Sequence, residues 1–327
     1  MENNIGYIEY IHSKTFEYFK QGNLRQGLPL YNMLFEPKTT LAMLEYNNET
    51  NGVSYMQSNM KKFLKYHKKH WDNDDLKDKT LLIYNRRCGF GDMIMNARYI
   101  QMLPQNEGKI IIEVNEGLID FYRYNFPNCE VMEEYKGESD YTLPQELLLN
   151  LQKNLDKIPY SEGYLRADTK LVEKYKTIFN TNKIKVGIFS SSNDPDRSVP
   201  AQLMRGIFAN EQCQFYCLVL GDPLDEMAEL HKEYNVIELK QHIMNANDTA
   251  ALIKNMDLVI SIDSFPIHLA GALGVKSYLM LNHDSDWRWF NDTQTTPWYD
   301  SVKIFKQKRP YDWSDVINDI TNSLNKE

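Results

Sequence analysis

Four short runs in this chain bring together residue types that can do chemistry. The first is the stretch 258–268, LVISIDSFPIH, where an apolar, β-branched run ends on Asp263 and leads into Ser264, Phe265, Pro266 and His268. An acid, a hydroxyl and an imidazole at the carboxyl end of a strand lie where open parallel sheets receive their ligands. A lone histidine in a small-residue helix can instead be a hydrogen-bonded core residue. Its place so soon after a strand-end acid favours binding. The second run, Cys88-Gly89-Phe90-Gly91-Asp92, follows an apolar strand and opens a helix. Gly89 and Gly91 allow a tight turn and close backbone approach by a ligand, and Asp92 stands where an acid favours a helix start. A turn with a cap and a functional loop fit that pattern equally well. A Walker loop is excluded, because no Gly-Lys-Ser/Thr follows, and Ile94 stands where a full dinucleotide fingerprint needs its third glycine.

The third run, 190–198, reads SSSNDPDRS after another apolar stretch. Ser191, Ser192 and the backbone amides of such a loop suit a phosphate, which Arg197 can bind through two parallel hydrogen bonds. A helix expected from Ala201 adds its N-terminal dipole. A solvated polar loop is the competing account. The fourth run is Asp284-Ser285-Asp286 ahead of Trp287-Arg288-Trp289. Paired acids of this kind can hold a divalent metal on a nucleotide diphosphate. With no strand-end acid beside them, they read better as a cap for the aromatic helix that follows. The chain has neither a Gly-x-Ser-x-Gly elbow nor a His-Glu-x-x-His pair, which argues against hydrolases of those types.

These runs need a scaffold, and the hydrophobic patterning supplies one. Residues up to about 69 show helical spacings of apolar residues, broken at Gly22-Asn23, and read as an N-terminal helical extension packed on the first domain; within them YFKQGNLRQGLPLYNML resembles a single tetratricopeptide-like hairpin, a weak signal in one copy. A polar, turn-rich loop is expected at 47–59, and the lysines Lys61, Lys62, Lys65, Lys68 and Lys69 read as one solvated helix face. Strands are expected at 80–85, 109–114 and, briefly, 130–132, with helices at 92–103, 116–126 and 144–155. A second alternating block begins at Lys183, with strands at 184–190, 214–220, 236–239, 258–262, 277–281 and 302–305. Its helices fall at 201–209, 224–234, 247–255 and 268–273, the last closed by Gly274. A final helix, 313–324, could return onto the first block. Two successive βα blocks predict two Rossmann-like domains with a cleft between them, joined near 179–183.

The chain has 327 residues, of which 42% are hydrophobic and 25% charged, enough for a large core and two domains. A formal charge of -8 argues against nucleic acid as the main partner. Four cysteines without a Cys-x-x-Cys pair fit neither a disulfide scaffold nor a zinc site, and Cys213 and Cys217 read as small core residues. The N-terminal residues lack the pattern of a signal peptide, and no apolar run is long enough to span a bilayer. A soluble cytoplasmic protein is expected.

Together the runs resemble bacterial glycosyltransferases of the ADP-heptose heptosyltransferase type, most closely the version linked to tetratricopeptide repeats. The likeness extends from about Gly22 to Ile320. It is carried by the stretch around TLLIYNRRCGFGDMIMNARYIQML, by IPYSEGYLRAD, by KVGIFSSSNDPDRSVP, and by the long block NDTAALIKNMDLVISIDSFPIHLAGALGVKSYLMLN. The resemblance implies a GT-B fold: residues 1–75 as a helical N-terminal extension, 76–182 as an acceptor-side domain, and 183–327 as the nucleotide-sugar-binding domain with the C-terminal helix. It implies an inverting, metal-independent glycosyltransferase with a nucleotide-diphosphate sugar as donor substrate and no cofactor. By position, Asp92 matches the family's general base, supported by Gly89 and Gly91. Ser191, Ser192 and Arg197 fall at the donor phosphates. Asp263, Ser264, Phe265 and His268 match the donor-binding Asp-Thr-x-x-x-His run. The acceptor is implied to be a glycan, a lipopolysaccharide or a protein, with membrane contact only through the acceptor and no role for nucleic acid.

The sequence departs from the family pattern in places. Ser264 replaces a threonine, Ser192 a glycine and Met95 a glutamine; a tryptophan before the serine-rich loop is missing, and Asn282-His283 replaces a proline turn. A catalytically inactive nucleotide-sugar-binding partner of the same fold is the alternative, with a nucleotide-sugar epimerase a weaker third.

Overall fold

A computed structural model of the chain describes residues 2–36, 39, 66, 69–85, 88–104, 107–152, 154, 157–192, 194–221, 225–290 and 293–327. The expected loop at 47–59, the residues Lys61, Lys62, Lys65 and Lys68 of the expected basic face, and Asn193 lie outside the described residues. By internal contacts the chain forms two compact units, one of residues 1–159 with 286–291, the other of residues 160–285 with 292–327. Each is α/β with a parallel sheet of Rossmann-like character, the fold class the sequence predicts.

The first unit begins with the hairpin of α1 (Glu2–Lys20) and α2 (Leu24–Met33). The turn uses Gly22 at φ +73, and the Asn23 side chain caps α2 by accepting from the Gln26 N–H at 3.2 Å. Gly27 lets the helices cross closely, since a Cβ there would lie 2.4 Å from the Phe19 ring. The sheet follows, with β1 (Thr80–Tyr84), α3 (Phe90–Ile100), β2 (Lys109–Glu113), α4 (Ile119–Asn125), β3 (Glu130–Met132) and β4 (Tyr141–Pro144). The strand order is β3-β2-β1-β4, all parallel. β4 is not expected from the patterning, being a four-residue strand that ends on Pro144 and is too short for its period to stand out. The helix expected at 144–155 is a 3-10 segment, Gln145–Leu151.

The second unit starts with α5 (Thr169–Tyr175), tied to its own unit by side chains. Tyr175 Oη donates to Asp248 Oδ1 at 2.6 Å, and Asn255 Nδ2 donates to the Val172 carbonyl at 3.0 Å. Burial, with the Asp248 hydrogen bond adding to it, pushes the Tyr175 phenol up to about 12. The sheet elements are β5 (Ile184–Phe189), α6 (Ala201–Phe208), β6 (Cys213–Cys217), α7 (Asp225–Glu233), β7 (Ile237–Glu238), α8 (Ala246–Lys254), β8 (Leu258–Ile262), α9 (Phe265–Ala272), β9 (Ser277–Leu281), β10 (Thr295–Thr296), β11 (Tyr299–Lys306) and α10 (Ser314–Leu324). Their order is β10-β11-β9-β8-β5-β6-β7, parallel except for β10 against β11. Every residue of β8 and β9 is buried, as apolar central strands covered on both faces must be. The C-terminal helix α10 belongs to the second unit. It packs on α6, burying Val316, Ile317, Ile320 and Leu324 in the core of the second unit.

Both sheets place a topological switch at a candidate loop. In the second unit the chain moves outward from β5 to β6 and β7 on one side and to β8, β9 and β11 on the other. The carboxyl ends of β5 and β8 therefore frame a crevice, the position where open α/β sheets bind ligands. In the first unit the same reversal falls between β1 and β4, and the loop after β1 leads into α3.

Candidate functional site

The acid, hydroxyl and imidazole of the first run sit at the switch of the second sheet. Asp263 follows β8, and Phe189 of β5 pairs with Ser261, so the loop 190–198 and Asp263 leave adjacent strands at the same end. Ser264 is the extended N-cap residue of α9, with φ -157 and ψ 178, and its side chain makes no cap hydrogen bond. Pro266 occupies the first turn, where its missing N–H costs nothing. The helix thus begins at Phe265, not at His268 as the patterning suggested, and His268 lies in its first turn. Gly274, at φ +67, closes the helix in a left-handed conformation that glycine adopts without strain. Its neighbour Leu273 and every α9 residue after Phe265 are buried, so this helix is held from all sides.

Asp263 and His268 are 4% and 2% exposed, with His268 Nε2 3.6 Å from Asp263 Oδ1. The other ring nitrogen, Nδ1, lies 2.9 Å from the hydroxyl of Tyr299, itself 1% exposed at the start of β11. The imidazole is thus fixed between an acid and a phenol. Arg197 joins them from the loop after β5. Its guanidinium donates to the Asp263 carbonyl at 3.2 Å, lies 4.0 Å from Asp263 Oδ2, and pairs through Nε with Asp194 at 3.1 Å. The loop is folded by its own hydroxyls: Ser192 N–H donates to Ser198 Oγ at 3.0 Å, and Ser198 Oγ donates to the Asp194 carbonyl at 3.1 Å. Ser191 is half-buried beside Ser192. The second unit therefore brings together Ser191, Ser192, Arg197, Asp263, Ser264, Phe265 and His268 at one sheet edge. A cation, a buried imidazole and helix-start amides there suit an anion such as a diphosphate.

Gly89, Gly91 and Asp92 belong to the first unit. The loop is placed by Asn85, whose Oδ1 accepts the Cys88 N–H at 3.1 Å while its own N–H donates to Glu113 Oε2 at 3.2 Å. Glu113 is fully buried at the end of β2, and its other oxygen accepts the Tyr135 N–H at 3.0 Å. The N-cap of α3 is Gly89, and its backbone at φ -71 and ψ 170 is extended. A Cβ there would meet Asp92 Oδ2 at an ordinary 3.5 Å, so the turn itself does not demand glycine at that position. Asp92 is the third helical residue rather than the cap. Its Oδ2 reaches back to accept the Gly89 N–H at 3.1 Å, half of a capping box.

The other oxygen of Asp92 has a partner far along the chain. Arg288 Nη2 donates to Asp92 Oδ1 at 2.5 Å. Arg288 stands on a 3-10 turn, Trp287–Trp289, that packs in the first unit although it lies 196 residues along the chain from Asp92. Asp286 caps that turn by accepting the Arg288 N–H at 3.1 Å, the capping role the Asp-x-Asp pair suggested. The turn is not the aromatic helix expected there. Its one sequence signal was an acid ahead of an Arg flanked by tryptophans.

Metal-ligating side chains meet elsewhere in the second unit. Among the described residues, Cys217, His231 and Glu238 have ligand atoms within 4.8 Å of one another and could hold a cation. They also satisfy each other directly, with His231 Nδ1 2.5 Å from Glu238 Oε1. Burial, opposed by a backbone hydrogen bond and aided by Glu238, pushes the Cys217 thiol up to about 12. Among the described residues, no helix is long and apolar enough to cross a membrane.

No protein-family model matches the chain. A curated relative, Protein FlbA of Caulobacter vibrioides, is 26% identical over 291 residues, covering 78% of this chain and 48% of its own length. The chain thus spans about half the length of the curated relative it matches. Among solved structures, a glycosyl transferase family 9 protein from Veillonella parvula aligns with a TM-score of 0.56 at 15% identity, over 77% of this chain and 91% of that one. The E. coli ADP-heptose lps heptosyltransferase II aligns with a TM-score of 0.52 at 15% identity, over 76% of this chain and 98% of its own. At these identities the likeness is one of fold.

Proposed function

We propose that this protein is an inverting, metal-independent glycosyltransferase that moves a sugar from a nucleotide-diphosphate donor to a glycan, lipopolysaccharide or protein acceptor. The observation that carries the reading is the trio Arg197, Asp263 and His268 at the switch point of the second sheet. The fold shared with solved glycosyltransferases supports it, and the name of the E. coli ADP-heptose lps heptosyltransferase II makes ADP-linked heptose the first donor to try.

The residues divide the work. Arg197 and the amides at the start of α9 take the diphosphate, whose negative charge grows as it departs. The buried His268 and Asp263 orient that end of the donor, with Ser191, Ser192, Ser264 and Phe265 lining the same edge. Asp92 accepts the proton of the acceptor hydroxyl. That oxygen then forms the new bond to the anomeric carbon. The bond from that carbon to the diphosphate oxygen breaks on the opposite face, and its electron pair leaves with the nucleotide diphosphate. One displacement inverts the anomeric configuration.

Two experiments test this. A thermal-shift screen of nucleotide-diphosphate sugars reads binding directly, because a ligand of the folded state raises its stability with the logarithm of concentration over Kd. A flat response to every donor contradicts the reading. With the responsive donor and its acceptor in hand, Asp92→Asn is expected to lose transfer by at least about 100-fold, the order of general-base catalysis. Transfer at the normal rate removes Asp92 from its role.

A further inference from the structure

The pairing of Asp92 with Arg288 joins a proposed base to a turn from the far end of the sequence, and the turn has its own support. Trp287 packs on the N-terminal hairpin: its ring lies 4.6 Å from that of Phe19, which is fully buried, and 6.4 Å from that of Phe16. Phe290, next in the chain after the turn and at φ +56, packs against Gly22 of the hairpin turn, where a Cβ would lie 3.8 Å from its ring. Arg288 is held on every side. Its N–H is capped by Asp286, its Nε lies 3.4 Å from the same carboxylate, its guanidinium lies 5.8 Å from the centre of the Trp287 ring, and its side chain is 14% exposed.

We propose that Arg288 is the positioning residue for Asp92, seated by the N-terminal hairpin through Trp287. The inference rests on the glycosyltransferase reading above. Asp92, half-exposed in the first turn of α3, would otherwise be free to rotate about its side-chain bonds. The Gly89 N–H holds one of its oxygens and the Arg288 guanidinium the other, so both carboxylate oxygens are fixed in direction. Each oxygen keeps a second lone pair, which can accept the proton of an acceptor hydroxyl. Arginine suits the task because its rigid planar fork can bind Asp92 through Nη2 while Nε faces Asp286. Lysine offers one point charge and can serve only the first contact. The N-terminal hairpin thus belongs to the active centre, although no residue of α1 or α2 touches Asp92 among the contacts described.

The test compares Arg288→Ala, Arg288→Lys and Trp287→Ala with Asp92→Asn in the full chain, measuring kcat, KM for donor and acceptor, and the thermal midpoint. A misplacement of about 1 Å can lower a rate on the order of 100-fold. Arg288→Ala is expected to lower kcat by about 10- to 100-fold while the donor KM stays within about twofold. Arg288→Lys is expected to recover part of that loss, and added guanidinium to rescue Arg288→Ala but not Asp92→Asn. Trp287→Ala is expected to lower kcat in the same direction. If Asp92→Asn is inactive while Arg288→Ala keeps full kcat, the positioning role is overturned and the role of Asp92 survives. If Asp92→Asn keeps full activity, the reading of the base fails, and this inference with it. Should Arg288→Ala not fold, Arg288→Lys decides: unchanged kcat with a lowered midpoint makes the contact structural only and overturns the proposal.

Discussion

Removing one oxygen atom tests how the imidazole of the second unit is held. Tyr299→Phe keeps the ring and deletes the hydroxyl that lies 2.9 Å from His268 Nδ1. The ring has no room to slide into the gap, because it lies against the backbone of α9 at Gly271, where even an added Cβ would come within 2.5 Å of it. Both partners are almost wholly buried, at 1% and 2% exposure, so water does not readily replace the lost bond. A buried hydrogen bond is worth about 1 kcal/mol net, and a buried group left short of a partner costs about 1–3 kcal/mol. Phenylalanine recovers a little of this by being more apolar, so the expected loss is about 1–2 kcal/mol. At about 2–4 °C per kcal/mol for a domain of this size, the midpoint should fall by about 2–8 °C in differential scanning calorimetry. The same variant should weaken nucleotide-sugar binding by about 3- to 10-fold in isothermal titration, since 1.4 kcal/mol is one factor of ten. A lowered midpoint with unchanged affinity would mean that Tyr299 serves the core alone. An unchanged midpoint and an unchanged affinity together would refute the whole argument.

Other predictions follow from the same structure. Arg197→Ala should weaken donor binding by about 10- to 100-fold, as expected for losing a charge-assisted hydrogen bond of about 1.5–3 kcal/mol, and Arg197→Lys by less; equal affinities for all three proteins would remove Arg197 from the donor site. Stability should fall as pH rises above the ordinary thiol value of about 8.5. Burial raises the Cys129 and Cys213 thiols to about 11 and Cys217 to about 12, so in this window the unfolded chain sheds protons that the folded chain keeps. Each such thiol should add about 1.4 kcal/mol of lost stability per pH unit, so urea unfolding of Cys217→Ala between pH 9 and 11 should show a slope shallower by about that amount. An identical slope would contradict the buried-thiol account. Transfer should persist in excess chelator, and its loss and recovery with a divalent cation would overturn metal independence.

The parts of the fold that the sequence made legible are those whose burial leaves a mark on composition. Strands β8 and β9 are buried along their whole length and read as unbroken apolar runs, and Gly274 closes α9 where it was expected. Features set by a few residues were harder. β4 is four residues long, and α9 starts three residues early because Phe265 and Pro266 fill its first turn without any apolar period. The polar groups of the second unit were legible because they lie within single loops at strand ends. Asn85, Glu113, Tyr299 and Arg288 were not. Each makes a contact distant in sequence, at 28 positions between Asn85 and Glu113, 31 between His268 and Tyr299 and 196 between Arg288 and Asp92, and no local pattern encodes such a meeting. The helix dipole and the switch-point rule marked where a ligand is expected. They could not tell which side chains hold the binding groups still.

The central claim is that a sugar leaves a nucleotide diphosphate and is joined to an acceptor in one displacement. Proton NMR of the product formed from an anomerically pure donor tests this most directly, because the coupling at the anomeric carbon reports its configuration. The account predicts nucleotide diphosphate released in equal amount with a glycoside of inverted configuration. A product that keeps the donor's configuration, or a donor converted to its epimer with no nucleotide diphosphate released, would contradict it.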